Sequence, residues 1–411
     1  MKRFIRAGLL GLGFCAAASA QTNGIFADFA TSHGAFTVWL DHTSAPRAVA
    51  SFVGLATGAG SWLDPQGNVW TNRPFYNGSL FHRVVKDTNG SGIAIQGGGS
   101  AYASGSNTYF ANAGYTMPEA VANGLLHANG VISMANSGPN TDGSQFFITT
   151  TNVPGWNGNY TVFGHVTTGL NVVTSIAAVA VQGAGERPVQ DVVVSNVVIR
   201  RVGAAAEAFN IAAQGVPVAE SGFMRAGTAG TNVELAIELV PDSGTRFRDS
   251  TDLVSWSSED RGLYTGAVTV ITGSVPRASL GPATYFHAAR IRYPLPIAAP
   301  ASHRGRTFYF QWNVSPATVY GVAFHSNWLT QGTCAVWEGT NAPVYRSVFI
   351  GDSWEQDAYS ARLVFEDGFG RGYEYLLGYT PGAVTNRFTA NWWPLTNIAL
   401  RHPYTGTFTM P

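Results

Sequence analysis

The stretch from Gly130 to Ile148 constrains the fold more than any other part of the chain. Two β-like runs, Val131 to Ala135 and Gln145 to Thr149, flank a loop of Asn, Ser, Gly, Pro, Thr and Asp. Apolar runs rich in Val, Ile and Phe read as strands, and the loop residues supply turn chemistry. Polar groups stand at the strand ends: Asn136 leaves the first strand and Gln145 enters the second. A side-chain amide beside a buried phenylalanine is costly unless it is hydrogen-bonded. An amide-binding cleft is one reading of this pattern, and ordinary turn chemistry is the other.

Strand patterns recur on both sides of this stretch. Gly34 to Leu40 alternates, with Phe36, Val38 and Leu40 on one face. Thr43 and Ser44 stand where they can cap a following helix, and Pro46 suits its first turn. Val49, Phe52, Val53 and Ala56 then fall at helical spacing, and the helix is expected to end near Gly58. After a Gly- and Trp-rich excursion come strands at Ser79 to Val85 and Ile93 to Gln96, separated by a polar loop. Tyr160 to Val166 reads as another strand, Leu170 to Ala178 as a short helix, and Asp191 to Arg201 as an alternating, Val-rich strand. Strands dominate and the two helices are far apart. A closed barrel with helices over its ends would leave no open edge and would bury one face.

Composition agrees with a turn-rich, mainly β protein: 48 glycines, 12% aromatic and only 12% charged residues. Lys+Arg and Asp+Glu both number 24, so nothing points to nucleic acid or an anionic membrane as partner. Residues 1–20 read as a signal peptide. Lys2, Arg3 and Arg6 form the basic start, Ala7 to Ala17 an apolar run too short to span a bilayer, and Ala18-Ser19-Ala20 a cleavage site. The mature chain is then expected outside the cytoplasm, periplasmic, secreted or at the cell surface, with no integral membrane segment. Bulky Phe14 before Cys15 argues against a lipid anchor, and Cys334 remains as the sole cysteine, so no internal disulfide forms. The nine histidines show no metal-ligand spacing, and the glycines at 97–99 lack a P-loop lysine or dinucleotide pattern.

Five segments, in order and at matching spacing, resemble the cyclophilin family. They are Phe81-His82-Arg83-Val84-Val85, Gln96-Gly97-Gly98, Ser133-Met134-Ala135-Asn136, Gly143-Ser144-Gln145-Phe146-Phe147-Ile148 and Val162-Phe163-Gly164. The resemblance spans roughly residues 24–202. It implies an eight-stranded antiparallel β-barrel capped by two helices, and peptidyl-prolyl cis–trans isomerisation without cofactor or covalent intermediate. It assigns Phe147 to the floor of a proline pocket and Gln96 to orienting Arg83 and touching the substrate. Ala135 and Asn136 match residues whose backbone pairs with the substrate chain, with Gln145 beside them. Ile93 and Ala94 stand where the family usually has phenylalanine and methionine facing the proline. Trp156 fits a leucine position, Gly155 a tryptophan one, and Tyr160 replaces a common histidine. The segment between Val85 and Ile93 is longer than the family's usual Pro-Gly turn.

The residues suit that chemistry. Rotation about a peptide bond faces a barrier of roughly 18–20 kcal/mol from amide resonance. At X-Pro bonds both isomers are accessible, yet exchange takes tens to hundreds of seconds. A guanidinium can donate to the proline nitrogen only as resonance is lost, so its help is greater in the twisted transition state than in either ground state. Arg83 is the candidate donor. Taken alone, an arginine on a strand is a solvated or salt-bridged face residue, Phe147 is core, and Gln96, Asn136 and Gln145 are turn polars. His82 reads as a structural hydrogen-bonder, because this reaction transfers no proton.

Beyond Arg201 the composition changes at Gly203-Ala204-Ala205-Ala206, which reads as a linker. The sequence divides into 1–20, 21–202, a β-rich module at 203–300 and a second at 301–411, one or two small antiparallel β domains of unassigned function. Strands are expected at Val233 to Leu239, Leu263 to Ile271 and Thr284 to Arg292. Further strands are expected at Thr307 to Trp312, Val319 to Phe324, Gly332 to Trp337, Val344 to Ile350, Ala361 to Phe365, Tyr373 to Tyr379 and Tyr404 to Thr409. Ser250 to Trp256 followed by Phe286 to Arg290 is similar to a small β module appended to secreted bacterial proteins. Trp328, Trp337, Trp354, Trp392 and Trp393 raise glycan stacking as an alternative to packing. Asp352, Glu355, Asp357, Glu366 and Asp367 match no calcium loop. The expectation is an exported peptidyl-prolyl isomerase acting on proline-containing polypeptides. The rival is a non-catalytic peptide-binding or adhesion protein, or a glycan binder, that retains the barrel.

Overall fold

The computed structural model describes residues 23–411 apart from 65–66, 103–108, 222–223, 251–259, 265–268, 281–283, 296, 300–306, 314, 325–332, 339–343, 348–357, 367–370, 395–401 and 411. The expected signal peptide at 1–20 lies outside the described residues.

The N-terminal region is an antiparallel barrel. In chain order its strands are β1 (Gly24–Thr31), β2 (Gly34–Leu40), β3 (Ser79–Phe81), β4 (Arg83–Lys86), β5 (Gly92–Gly97), β6 (Val131–Met134), β7 (Phe146–Thr149), β8 (Val162–Thr168) and β9 (Val192–Val202). They pair in the order β3-β9-β1-β2-β8-β6-β7-β5-β4. The two ends of that series, β3 and β4, are consecutive in sequence and separated only by His82. The continuous strand expected at Ser79 to Val85 is therefore broken. Its first half pairs with β9 and its second with β5, so one strand changes partner at His82 and closes the sheet. Counted that way, the nine segments are eight strands, and closure removes the edges that an open sheet would expose.

Alternation decides what each strand buries. Phe36, Val38 and Leu40 of β2 point inward, each at most 2% exposed, together with Ile95, Ile132, Phe146 and Ile148 of the other strands. Helix α1 (Pro46–Thr57) covers one end of this core with Val49, Phe52 and Val53. Phe52 stacks on Tyr76 with ring centroids 4.9 Å apart. The helix starts on Pro46 as expected, but neither Thr43 nor Ser44 caps it. Asp41 instead accepts the Thr43 and Ser44 backbone N–H groups, making the turn that delivers the chain to the helix. Gly58, at φ +79°, ends it in the left-handed conformation that glycine adopts without strain. Helix α2 (Leu170–Ala177) covers the barrel with Val173 and Ile176. The Lys86 ammonium donates to the Ala177 carbonyl at its C-terminal end, where a cation is favoured.

The expected linker is not extended. Gly203 precedes a short helix, α3 (Ala204–Ala208), with Ala206 buried in the barrel's core cluster. Alanine is the best helix former, and that propensity prevails here over linker composition. The following strands are β10 (Val218–Ser221), β11 (Met224–Ala229), β12 (Asn232–Leu239), β13 (Ser243–Ser250), β14 (Asp260–Tyr264), β15 (Thr269–Pro276) and β16 (Tyr285–Arg292). They form two antiparallel sheets, β10-β16-β13-β14 and β11-β12-β15. The single strand expected at Leu263 to Ile271 is two strands, β14 and β15, in different sheets. Residues 251–256 of the appended-module resemblance lie outside the described residues. Ala219, Ala289, Ile291 and Tyr293 belong to the same buried cluster as the barrel core.

The C-terminal region is one eight-stranded antiparallel sheet. Its strands are β17 (Thr307–Trp312), β18 (Ser315–Phe324), β19 (Thr333–Glu338), β20 (Val344–Ser347), β21 (Ser360–Glu366), β22 (Arg371–Gly378), β23 (Thr385–Pro394) and β24 (His402–Thr409). The order is β20-β19-β18-β17-β24-β23-β22-β21. Phe308, Phe310, Tyr375, Leu377, Phe388 and Phe408 build a separate core. Of the candidate glycan-stacking tryptophans, Trp328 and Trp354 lie outside the described residues, as do the side chains of Trp337 and Trp393. Trp392 carries the Arg371 guanidinium 5.6 Å from its ring centroid. Asp352, Glu355, Asp357, Asp367 and the side chain of Glu366 also lie outside the described residues. Among the described residues no helix is long and apolar enough to cross a membrane.

Candidate active site

Strand register places the candidate residues in one row on the barrel's outer face. Arg83 of β4 faces Gln96 of β5, Gln96 faces Phe147 of β7, and Phe147 faces Ser133 of β6. Because residues alternate, the neighbours Val84, Ile95 and Ile148 point into the core. Two strand spacings separate Arg83 from Phe147, about 10 Å, which a long arginine side chain can largely span.

At one end of the row is a wall of rings. Phe147 is 5% exposed and lies outside the barrel's core cluster. The Trp156 ring meets it edge-on with centroids 5.1 Å apart, and the Tyr160 ring does the same at 5.3 Å. The His127 imidazole stacks on it at 5.7 Å with an interplanar angle of 15°. Such edge-on arrangements are the favoured geometry of aromatic pairs and hold the cluster rigid. The short helical turn Pro154–Trp156 presents Trp156. His127 is tied at both ring nitrogens, to Asn157 Oδ1 at 3.0 Å and Ser133 Oγ at 3.2 Å. Burial pushes its pKa below the ordinary imidazole value, against the opposing Asn157 hydrogen bond, so the ring supports Phe147 in neutral form. The sequence reading does not single out His127; its place becomes visible only when the loop before β6 folds over the row.

The other end is polar and half-exposed. Glu186, rather than Gln96, holds Arg83. Its Oε2 accepts Arg83 Nε at 3.0 Å and Nη2 at 2.9 Å, while its Oε1 accepts the Lys86 N–H at 2.9 Å. The Glu186 carbonyl accepts the Val84 N–H, so backbone and side chain both clamp this loop to β4. Partial burial would raise the Glu186 pKa, but the Lys86 N–H and the Arg83 guanidinium outweigh it and keep the carboxylate ionised. Arg83 Nη1 has no partner among the described residues and remains available as a donor. Gln96 donates from Nε2 to Gln145 Oε1 at 3.0 Å, so these two amides form their own pair. Burial takes His82 down to about 4 despite the hydrogen bond to Gln145 that opposes it; the ring is neutral near pH 7.

The remaining candidates fall into three settings. Ala94 is fully buried, two residues from Gln96 on the same face and facing Thr149, so its small side chain opens no path for solvent there. Ile93 is half-buried and skipped in the register, where Val85 faces Ala94 and Lys86 faces Gly92; a bulge therefore sets its direction. The Ala135 N–H is already given to the Gln145 carbonyl at 2.9 Å. The Asn136 side chain is engaged too, donating to the Asn159 carbonyl at 3.0 Å and accepting the Gly138 N–H at 3.3 Å. The Asn136 backbone N–H and carbonyl have no partner among the described residues, and it is these groups that can pair with a bound chain.

Asp142 lies beneath this loop. It accepts from the Thr161 hydroxyl at 2.6 Å and from Asn136 Nδ2 at 3.4 Å. Complete burial raises its pKa to about 7, with the Thr161 hydrogen bond opposing the shift.

A row of donor, amide and ring on a closed barrel is suited to holding a proline and donating to its nitrogen. The family model described as cyclophilin type peptidyl-prolyl cis-trans isomerase/CLD matches residues 26–200. Peptidyl-prolyl cis-trans isomerase B of Streptomyces anulatus is 34% identical over 185 residues, covering 43% of this chain and 96% of that protein. Peptidyl-prolyl cis-trans isomerase A of Mycobacterium tuberculosis is 34% identical over 172 residues, 41% of this chain and 88% of that one. A solved Cryptosporidium parvum cyclophilin-type isomerase aligns with 24% identity and a TM-score of 0.34, covering 43% of this chain and 98% of that one. The barrel, its motif-bearing row and the near-complete match to such relatives place the chain among the cyclophilin-type peptidyl-prolyl cis–trans isomerases.

Proposed function

We propose that this isomerase is exported from the cytoplasm and assists folding by accelerating X-Pro rotation in exposed segments of other polypeptides. The basic, apolar and small-residue pattern of residues 1–20 supports export. In this reading Phe147, Trp156 and Tyr160 hold the proline ring and exclude water. The free Asn136 backbone groups hold the chain, and Arg83 Nη1 donates to the proline nitrogen as the bond twists. Glu186 takes the orienting role that the sequence suggested for Gln96, while the Gln96–Gln145 pair borders the substrate. No proton moves and no bond is made, so neutral His82 and His127 suit the site. Each tenfold acceleration requires about 1.4 kcal/mol of preferential transition-state stabilisation. One directed charge-assisted hydrogen bond plus desolvation is of that order.

The observation that carries this reading is the cross-strand row Arg83–Gln96–Phe147. Its test is a proline-peptide isomerisation assay on the full mature chain beside Arg83→Ala. Acceleration by the wild type, lost in the variant, is the expected result. A variant as fast as wild type refutes the role given to Arg83. For export, alkaline-phosphatase activity of a fusion carrying residues 1–20 is expected, and an inactive fusion retained in the cytoplasm refutes it.

A further inference from the structure

The C-terminal sheet reaches the edge of the isomerase site. A cleft of about 350 Å³ runs beside the ring wall, within the size range of ligand sites. Asn136, Trp156 and Tyr160 form one side, and Leu376, Thr389 and Thr405 the other. The second side is also a cross-strand row: Leu376 of β22 faces Thr389 of β23, which faces Thr405 of β24. It lies on the face of that sheet opposite its core residues Leu377, Phe388 and Phe408.

Specific contacts hold the two regions together. Arg387 of β23 donates to Glu119 Oε1 at 2.6 Å and to the Gly158 carbonyl at 2.9 Å. Asn140 Nδ2 donates to Thr380 Oγ1 at 3.2 Å. Pro139 packs against Gly378 so closely that a Cβ there would come within 2.4 Å of it. Glycine at 378 is therefore a condition of this approach. Apart from Glu119, the groups contacted on the barrel side fall on the segments that carry Asn136, Trp156 and Tyr160.

We infer that the C-terminal sheet forms a second wall of the substrate groove, and that the cleft receives the uncharged, extended segment of polypeptide flanking the bound proline. This inference rests on the isomerase reading of the Phe147 site. Continuity argues for that occupant: three residues of the cleft wall also border the proline pocket or hold the backbone beside it. The lining selects its chemistry. Trp156 and Leu376 offer apolar surface, while Asn136, Asn159, Thr389 and Thr405 offer neutral hydrogen-bonding groups. The Arg387 charge is matched by Glu119, so the cleft presents no unbalanced charge to attract an ionic segment.

The test compares two uncharged peptides on the full mature chain, one with a single residue on each side of X-Pro and one of a dozen residues. Thr389→Trp fills the cleft from the sheet side. The ratio of kcat/KM for the long peptide to that for the short one is expected to fall about tenfold, mainly through KM. The Kd of the long peptide by calorimetry is expected to weaken by a similar factor. An unchanged ratio with unchanged Kd overturns the inference, as does an equal loss for both peptides, which would make the sheet a prop for the loop. Should the wild type bind the long peptide in a Thr389-dependent way yet accelerate neither peptide, the isomerase reading fails and the cleft stands. Leu376→Ser repeats the measurement on the other strand if the tryptophan variant does not fold.

Discussion

The two ends of the candidate active-site row are held by different physics. At the Phe147 end, four rings interlock, two hydrogen bonds fix His127, and Phe147 and His127 are buried. At the Arg83 end, a side chain 44% exposed is set by one carboxylate on a loop. The first is a rigid mould, whose position is part of the fold's stability. The second is an adjustable donor, whose position adds little to stability because exposed ion pairs contribute about 0–1 kcal/mol. Under the proposed function, shape recognition of proline belongs in the mould. A donor that must strengthen its bond as the amide twists belongs where small movements are cheap.

The largest expected effect is at the mould. Phe147→Ala is expected to cost about 3–5 kcal/mol of stability, the range for truncating a buried phenylalanine, along with most activity. Urea unfolding and the peptide assay measure the two; a fully stable variant would show that the ring wall is not structural.

Next in size is a pH effect from Asp142, beneath the Asn136 loop. Its folded pKa of about 7 exceeds the value an unfolded chain would have. The folded state therefore binds the extra proton between about pH 4 and 7, and the stabilisation present below that window is lost as pH rises through it. Relative to Asp142→Asn, the wild type is expected to lose stability on the order of 3 kcal/mol across the window. Parallel unfolding curves against pH would contradict this. Glu119 is also raised by burial, with Arg387 opposing, and acts in the same direction.

Arg83→Ala is the matching perturbation at the adjustable end. Loss of a donor used in the transition state is expected to lower kcat about a hundredfold. Stability should change by less than about 1 kcal/mol. A large drop in melting temperature would erase the contrast between the two ends. Glu186→Gln is smaller still: it keeps the shape and removes the charge, and a roughly tenfold fall in kcat with little change in KM is expected.

How much of this could be read beforehand depends on distance along the chain. The row is encoded in short segments whose spacing is local, so Arg83, Gln96, Phe147, Asn136 and Gln145 could all be nominated. What orients Arg83 could not, because Glu186 lies 103 positions away in a loop with no motif of its own. Strand β1 receives no assignment from alternation, and its packing explains why. Ile25, Ala27 and Phe29 face the core, but Phe26 is also buried on the other face, where Arg200 covers its ring at 5.1 Å. The Asp28–Arg200 ion pair completes that cover. The cleft wall of Leu376, Thr389 and Thr405 was equally hidden, since only the docking of β22 to β24 beside Asn136 gives ordinary strand residues a place at the site.

A double-mutant cycle on kcat/KM for a short proline peptide, using Arg83→Ala and Glu186→Gln, shows whether Glu186 acts only through Arg83. If Glu186 acts only by setting the donor, the double variant will be as slow as Arg83→Ala alone. If the two losses multiply, Glu186 contributes independently of Arg83, and the account of a single carboxylate-held donor is contradicted.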